Sequence, residues 1–300
     1  MSRAVVIDTD PGIDDAIAIL AALGMPELRV LAITTVAGNV GLDVTTRNAL
    51  RLLALAGRTD VPVHPGAASS LERFEAGETR IHGEDGVGGV ALPETVSEPA
   101  EGEAVAALAA ILEREAAGSV DVLALAPLTN VARLVRDAPG AARRIGRVIA
   151  MGGAVDEPGN RGPRAEFNLG FDPEAADIVL RAGLALTLIP LDATRQLRAD
   201  RRYLDRLGAI GTPAAAAVRD LIGAYFTRVG EGTSRPLHDP CVPLFVTRPD
   251  LFGCRRMPLA LEIGDGPDAG ALVRGRHPAD VALTVSAADA LDALARALGE

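Results

Sequence analysis

The chain of 300 residues contains no lysine and no tryptophan, and aromatic residues make up only 3% of it. All 30 basic side chains are therefore arginine, which excludes every mechanism that needs a catalytic lysine. The scarcity of aromatic rings argues against a stacking platform for single-stranded nucleic acid. The net charge of −10 argues against nucleic acid, and against an anionic membrane surface, as the main partner.

Cysteines and long apolar runs are also scarce. The two cysteines, Cys241 and Cys254, give neither a disulfide framework nor a CxxC metal pattern. No apolar run approaches the length of a membrane span, and the first residues lack the features of a signal peptide. We therefore expect a cytoplasmic protein without a membrane partner. A hydrophobic share of 48% and a charged share of 23% are typical of a globular chain.

Short apolar runs alternate with helical patterns through most of the chain. The strands predicted in this way are 5–7, 30–36, 120–125, 148–151 and 184–189, and the helices between them include 42–56, 108–115 and 173–181. This alternation predicts an α/β fold with a mainly parallel central sheet. After residue 195 the pattern changes to helices, including 214–228, and then to a β-rich tail over 259–285 with a final helix. We expect one domain over residues 1–300.

The most informative stretch is residues 4–15, where an apolar run ends in four aspartates, Asp8, Asp10, Asp14 and Asp15. The run predicts a buried strand, and the residues after the Pro-Gly turn predict a helix. Ligands of parallel α/β sheets lie at such strand ends. Four carboxylates in one cleft would repel one another unless a hard divalent cation, Ca²⁺ or Mg²⁺, bound them. The alternative is a helix cap formed by Asp14, with the other aspartates in solvent.

Four further polar clusters follow apolar runs or glycine turns: 34–39, 82–86, Asn160 with 166–173, and 238–241. Each alone has an ordinary explanation. Asn39 suits a turn after glycine, Glu166 suits a surface charge, and His238-Asp-Pro suits a helix start. Because these clusters fall where strands are predicted to end, we expect them to converge on one site.

In these residues the chain resembles the inosine–uridine-preferring nucleoside hydrolase family. The resemblance is carried, in the family's order and approximate spacing, by Asp8-Thr-Asp10-Pro-Gly-Ile-Asp14-Asp15-Ala, Thr34-Thr-Val-Ala-Gly-Asn39, His82-Gly, Pro127-Leu-Thr-Asn130, Met151-Gly-Gly, Ala165-Glu-Phe-Asn168, Asp172-Pro-Glu-Ala and His238-Asp-Pro-Cys241. It implies a Rossmann-like nucleoside hydrolase fold with added helices and a C-terminal β-rich portion. It also implies hydrolysis of the N-glycosidic bond of ribonucleosides to ribose and a free base, by a homodimer or homotetramer.

The resemblance further implies one Ca²⁺ at the strand ends. Its protein ligands would be Asp10, Asp15, the backbone carbonyl of Leu125 and Asp239, with water and the ribose diol completing the shell. Oxygen ligands of this kind suit Ca²⁺, which takes six to eight of them. Asp10 would also act as the general base toward the attacking water.

The implied substrate contacts divide between sugar and base. Asp14 would accept a hydrogen bond from the 2′-hydroxyl, and the remaining ribose hydroxyls and the water would be held by Asn39, Asn160, Glu166 and Asn168. His238 would protonate the departing base, as suits a histidine near its ordinary pKa. His82 and Tyr225 would contact the base. Further candidates for the base side are Phe74, Arg80 and Arg228, whereas His64 and His277 match no site of the family.

The base preference stays open, because Gly230 falls near a position where some family members carry a second aromatic residue. Three other interpretations also stay open. A phosphatase of the haloacid-dehalogenase type would use Asp8 as nucleophile. A nucleoside-binding protein would keep the fold without turnover. An EF-hand loop starting at Asp8 fits worst, because its twelfth position is Ile19 where a bidentate glutamate is required.

Overall fold

The computed structural model describes residues 2–73, 79–94, 97–230 and 232–299. Its strands are β1 Arg3–Thr9, β2 Leu28–Thr35, β3 Val63–Pro65, β4 Val120–Ala124, β5 Val148–Met151, β6 Leu186–Ile189, β7 Arg198–Asp200, β8 Ser234–Pro236, β9 Phe252–Leu261, β10 Leu272–Arg274 and β11 His277–Val285. Nine of them form one sheet in the order β10-β9-β11-β6-β5-β4-β1-β2-β3, and β7 pairs with β8 in a separate ribbon.

The sheet is parallel from β3 through to β11, and β9 and β10 continue it in antiparallel orientation. The mainly parallel α/β fold predicted from the sequence is therefore confirmed. The β-rich tail does not form a separate layer, because β11 pairs directly with β6.

Helices cover both faces of the sheet. They are α1 Ile13–Gly24, α2 Leu42–Leu55, α3 Thr79–His82, α4 Ala104–Arg114, α5 Thr129–Asp137, α6 Pro139–Ala142, α7 Phe167–Phe171, α8 Pro173–Arg181, α9 Leu191–Thr194, α10 Arg201–Ile210, α11 Pro213–Val229, α12 Cys241–Thr247 and α13 Ala287–Ala297. Within the described ranges, no helix has both the length and the apolar character that crossing a bilayer requires.

Strand β1 separates two hydrophobic cores. Val5 and Ile7 pack on the side of α1, α11 and α12, whereas Ala4 and Val6 pack on the side of α4, α5 and α8. Alternate side chains of a strand point to opposite faces, so a strand covered on both faces must be apolar at every position. This explains the unbroken apolar run that precedes the aspartates.

The aspartates lie at the carboxyl end of β1, Asp8 within the strand and the other three after it, and the strand order reverses here. From β1 the chain builds β2 and β3 on one side, and β4, β5 and β6 on the other. The carboxyl ends of these strands meet at one edge of the sheet, and a crevice opens there between diverging connections. The fold thus brings the polar clusters of the sequence to a single place.

The sequence also predicts that Thr129 or Asn130 caps the helix after the strand predicted over 120–125, and this prediction is wrong. Leu128 is the N-cap residue of α5 and forms no side-chain cap, so neither Thr129 nor Asn130 caps this helix. The Thr129 hydroxyl donates to Asp172 instead, and the Asn130 amide donates to Asp8. The side chains that the sequence suggested for a local cap thus tie together distant segments.

Candidate functional site

A cavity of about 270 Å³ opens at the carboxyl edge of the sheet. Ten of the site residues predicted from the sequence line it: Asp14, Asn39, His82, Leu125, Asn160, Glu166, Asn168, Tyr225, His238 and Asp239. These residues come from loops and helices that follow different strands. The convergence expected from the strand ends is therefore present in the structure.

Asp10 and Asp15, the other two predicted residues, are buried and do not belong to the cavity wall in the described part of the chain. Oδ2 of Asp10 accepts a hydrogen bond from the backbone N–H of Asn39 at 2.6 Å. A Cβ atom at Gly38 would overlap this same oxygen, so only glycine lets the backbone approach the carboxylate so closely. Oδ1 of Asp10 is buried and has no hydrogen-bond partner among the described residues.

Asp15 holds the aspartate loop closed. Its carboxylate accepts from the Thr9 hydroxyl at 2.6 Å, from the Gly12 N–H at 3.0 Å and from the Asn39 amide at 3.0 Å. Gly12 is the N-cap residue of α1, so the start of this helix is satisfied by Asp15. The alternative in which Asp14 caps the helix is therefore wrong, and the side chain of Asp14 lines the cavity instead.

Asp14, Asp15 and Asp239 form a tight cluster, in which one carboxylate oxygen from each lies within 4.8 Å of the others. Burial, together with the neighbouring charge of Asp15, raises the pKa of Asp14 to about 7. Burial and the surrounding carboxylates also raise the pKa of Asp239 and of Asp10 well above the ordinary range. A divalent cation bound by these oxygens would remove the repulsion, so the residues present fit a hard metal ion.

One wall of the cavity is ordered by the hydrogen bonds of Glu166 and Asn168. Glu166 caps α7, accepting from the Asn168 N–H at 2.9 Å, the Gly153 N–H at 3.0 Å and the Leu169 N–H at 3.2 Å. The Asn168 amide nitrogen donates to the carbonyls of Leu125 at 2.8 Å and Met151 at 3.1 Å. Both partners are acceptors, so the amide orientation is fixed and Oδ1 remains as the acceptor of Asn168.

His82 supports the aspartate loop from a position 69 residues away in the chain. Its Nδ1 accepts from the Ile13 N–H, the first amide of α1, at 3.0 Å. Because Nδ1 accepts from a backbone donor, the proton of the neutral ring is on Nε2. Burial lowers the pKa of His82 to about 4, so the ring is neutral near pH 7. It therefore offers the cavity an N–H donor.

His238 lies beside Thr194, whose hydroxyl contacts Nδ1 of the ring at 2.7 Å. Burial lowers the pKa of His238 to about 3, and the positive charges of Arg195 and Arg198 act in the same direction. This pKa differs from the ordinary value expected from the sequence, because the sequence reveals neither the burial of the ring nor the two guanidinium groups near it.

Several residues of the wall were not predicted from the sequence. They are Ile13, Ile81, Met151, Phe167, Arg195, Arg198 and Pro236, whereas Arg80 was a candidate and does line the cavity. Arg228 lies outside the wall as described and donates to the carbonyl of Thr79. Phe74 lies outside the described residues. Burial raises the pKa of the Tyr225 hydroxyl, which therefore stays protonated.

The model of the inosine-uridine preferring nucleoside hydrolase family matches residues 5–293. The chain belongs to this family. It is 42% identical, over 84% of its length and 81% of the relative's, to the pyrimidine-specific ribonucleoside hydrolase RihA of Citrobacter koseri. The family membership inferred from the motifs is confirmed, and with it the activity: the protein is an enzyme that hydrolyses ribonucleosides.

Solved structures agree with this assignment. A plant nucleoside hydrolase superposes with a TM-score of 0.93 at 32% identity, covering 100% of this chain and 99% of that one. A purine-preferring ribonucleoside hydrolase from Gardnerella vaginalis superposes with a TM-score of 0.91 at 28% identity, covering 99% and 98%. The nucleoside hydrolase fold expected from the sequence is therefore confirmed.

Proposed function

We propose that the enzyme is a Ca²⁺-dependent ribonucleoside hydrolase, in which the acidic end of the cavity binds the ion and the ribose. The observation that carries this proposal is the convergence of Asp14, Asp15 and Asp239 beneath a wall of amide and carboxylate groups. The reaction adds water to C1′ of the ribose as the bond from C1′ to the base nitrogen breaks. The bonding electrons leave with the base, which then gains a proton.

The residues that would hold Ca²⁺ are Asp10, Asp15, Asp239 and the carbonyl of Leu125, and Asp14 adds a further nearby carboxylate. All of these ligands are oxygens, which Ca²⁺ accepts in flexible arrangements of six to eight. The carbonyl of Leu125 accepts one hydrogen bond from Asn168 and retains a second lone pair. When bound, the ion supplies positive charge that acidifies the attacking water and orients the vicinal hydroxyls.

In the proposed mechanism, Asp10 is the general base. Its Oδ2 is fixed by the Asn39 N–H, and Oδ1, which lacks a protein partner in the described ranges, takes the proton from the attacking water. Asp14 accepts from the 2′-hydroxyl of the ribose. Asn39, Asn160, Glu166 and Asn168 hold the remaining hydroxyls and the water, with Oδ1 of Asn168 acting as an acceptor.

The lowered pKa makes the ring of His238 neutral near pH 7, which corrects the expectation that it transfers its own proton to the base. On the leaving-group side, we propose that Nε2 of His238 donates a hydrogen bond to the departing base and stabilises the negative charge that develops on it, while the proton that the base gains comes from solvent. In the tautomer that serves this role, the Thr194 hydroxyl donates to Nδ1 and so keeps the proton on Nε2. His82 and Tyr225 are the other donors that face the base. Asp8 does not line the described cavity. A phosphatase of the haloacid-dehalogenase type would need Asp8 there as its nucleophile, so this observation argues against that interpretation.

Replacing Thr194 by valine is expected to lower kcat for natural ribonucleosides by roughly 10-fold or more. Valine keeps the shape of threonine but cannot hold the tautomer of His238. The same variant should hydrolyse p-nitrophenyl riboside at nearly the normal rate, because that leaving group needs no hydrogen-bond donor. Thr194→Ser, which keeps the hydroxyl, serves as the control. Equal losses on both substrates would remove Thr194 and His238 from the leaving-group side.

The test of the proposed function is kcat/KM for a panel of ribonucleosides and their 2′-deoxy analogues. Removal of the 2′-hydroxyl leaves Asp14 and the ion unpaired, so we expect a loss of roughly 10³-fold or more. Comparable rates for the deoxy compounds would contradict the assigned sugar contacts. Nucleoside binding without release of ribose would instead identify a binding protein.

The same panel determines the base preference, since the relatives are named as pyrimidine-specific and as purine-preferring. The more similar of the two is the pyrimidine-specific one, which supports uridine and cytidine as substrates. The family also motivates a homodimeric or homotetrameric assembly and a cytoplasmic location. Neither of these changes the residues assigned above.

A further inference from the structure

The loop that carries Asn160 has no regular secondary structure. Residues 155–164 lie between β5 and α7, and most of the loop from 156 to 164 is exposed or half-exposed. Fixing a residue of an irregular loop costs backbone entropy, so a ligand-binding position in it needs anchors. The end near α7 has its own turn bonds, including that from the Phe167 N–H to Oδ1 of Asn160 at 2.8 Å.

The other end of the loop is anchored by Asp192, in the first turn of α9. The carboxylate of this buried residue accepts from three successive backbone amides: Val155 at 2.8 Å, Asp156 at 2.7 Å and Glu157 at 3.2 Å. Oδ2 takes the first and Oδ1 takes the other two, so both oxygens are used. Asp192 does not line the described cavity, and it therefore acts on the loop and not on a ligand.

Arg195 continues the same anchorage one residue after α9. Its Nη1 donates to the carboxylate of Glu157 at 2.9 Å and to the carbonyl of Pro158 at 2.8 Å, and Nη2 donates to the carbonyl of Gly159 at 3.3 Å. Together, Asp192 and Arg195 contact every residue from 155 to 159, and the next residue is Asn160. Because α9 directly follows β6, the anchors are themselves fixed to the central sheet.

We propose that Asp192 and Arg195 are positioning residues for the ribose, which act by placing Asn160 at the edge of the cavity. This inference rests on the proposed function, in which Asn160 binds a ribose hydroxyl. Oδ1 of Asn160 accepts the Phe167 N–H, so the amide nitrogen is the group available to a ligand. A shift of about 1 Å in such a group can change a rate by roughly 100-fold, even when the altered residue is remote.

The test is a double-mutant cycle between Asp192→Asn and Asn160→Ala. The asparagine at 192 is nearly isosteric, but its amide nitrogen cannot accept the backbone N–H groups that the carboxylate accepts. Alone, it should lower kcat/KM for a good ribonucleoside substrate by roughly 10- to 100-fold. In the Asn160→Ala background, Asp192→Asn should lower kcat/KM by less than a further factor of about two, because the side chain that Asp192 positions is already absent.

Asp172→Asn is the matched control. Like Asp192, Asp172 is buried, lies outside the described cavity wall and accepts three hydrogen bonds. Its donors are Leu71, Thr129 and Ala175, none of which belongs to the 155–164 loop. It should lower thermal stability without coupling to Asn160. Hydrogen exchange by mass spectrometry adds a readout that is independent of turnover, and Asp192→Asn should accelerate exchange of the amides of residues 155–160.

Each outcome of the cycle has a definite meaning. Multiplicative losses in the double variant, or unchanged exchange over residues 155–160, would overturn the positioning role. An Asn160→Ala variant that is as active as the wild type would overturn it too, since no group would remain to be positioned. Failure of the proposed function itself is distinguished by the wild-type enzyme, which would then hydrolyse 2′-deoxyribonucleosides at rates comparable to those of ribonucleosides.

Discussion

Replacing Asp10 by asparagine is expected to lower kcat for ribonucleosides by roughly 10³-fold or more while the fold persists. The carbonyl oxygen of an asparagine can still accept the Asn39 N–H that Oδ2 of Asp10 accepts at 2.6 Å. The amide cannot take a proton from water, and it is a weaker ligand for a cation. The rate is measured by release of reducing sugar, and the fold by circular dichroism and thermal unfolding.

Asp8→Asn is the control for this prediction. Asp8 is buried two residues earlier, where its Oδ1 accepts from Thr34 at 2.6 Å and from Asn130 at 2.8 Å. The oxygen of an asparagine can keep both contacts, so this variant should retain most of its activity. An inactive Asp8→Asn beside an active Asp10→Asn would contradict this assignment and remove Asp10 from the general-base role.

The parts of the fold that could be predicted are those with local signals. Val148–Met151 is a strand and Pro173–Arg181 is a helix, both with the predicted ends, because glycine follows the first and proline starts the second. Strand β9 begins at Phe252, seven residues before the predicted tail. Residues 253–256 are exposed and include two arginines, and only pairing with β11 makes them part of a strand.

The residues of the site could be predicted from the sequence, but their arrangement in space could not. The polar clusters meet because parallel strands end at one edge of the sheet. Which carboxylates face one another depends on the conformation of the loop after β1. In the structure, the close cluster contains Asp14, whereas the carboxylate of Asp10 accepts a hydrogen bond from Asn39. Arg195 and Arg198 gave no signal, since two arginines among 30 basic residues do not stand out.

The hydrogen bond between His82 and the first amide of α1 could not be predicted from the sequence either. A backbone N–H can be paired with a ring 69 residues away only when the long loop folds back over the helix. The same holds for the anchors of the 155–159 loop, which come from a helix of only four residues and from the residue that follows it. Sequence motifs predict the side chains that line the site. The residues that hold those side chains in place are set by tertiary contacts, which the motifs do not reveal.

Removal of divalent cations is expected to abolish hydrolysis, and added Ca²⁺ should restore it. The three carboxylates of Asp14, Asp15 and Asp239 lie within 4.8 Å of one another in a buried site, so they repel strongly without a cation. Binding to the folded state alone should also raise the free energy of unfolding, by about 2.7 kcal/mol when Ca²⁺ is 100-fold above its Kd. The protein is stripped with EDTA and dialysed, and both activity and Tm are then followed during Ca²⁺ titration.

Asp239→Asn separates a metal site from an ordinary acidic cluster. In the stripped protein this variant removes one of the repelling charges, so its Tm should equal or exceed that of the stripped wild type. Because the variant also loses a ligand, added Ca²⁺ should give it little or no rise in Tm. Asp172→Asn, which changes a buried carboxylate elsewhere, should keep the full rise. Undiminished turnover in stripped buffer, or a Tm of the wild type that does not respond to Ca²⁺, would contradict a metal-dependent mechanism.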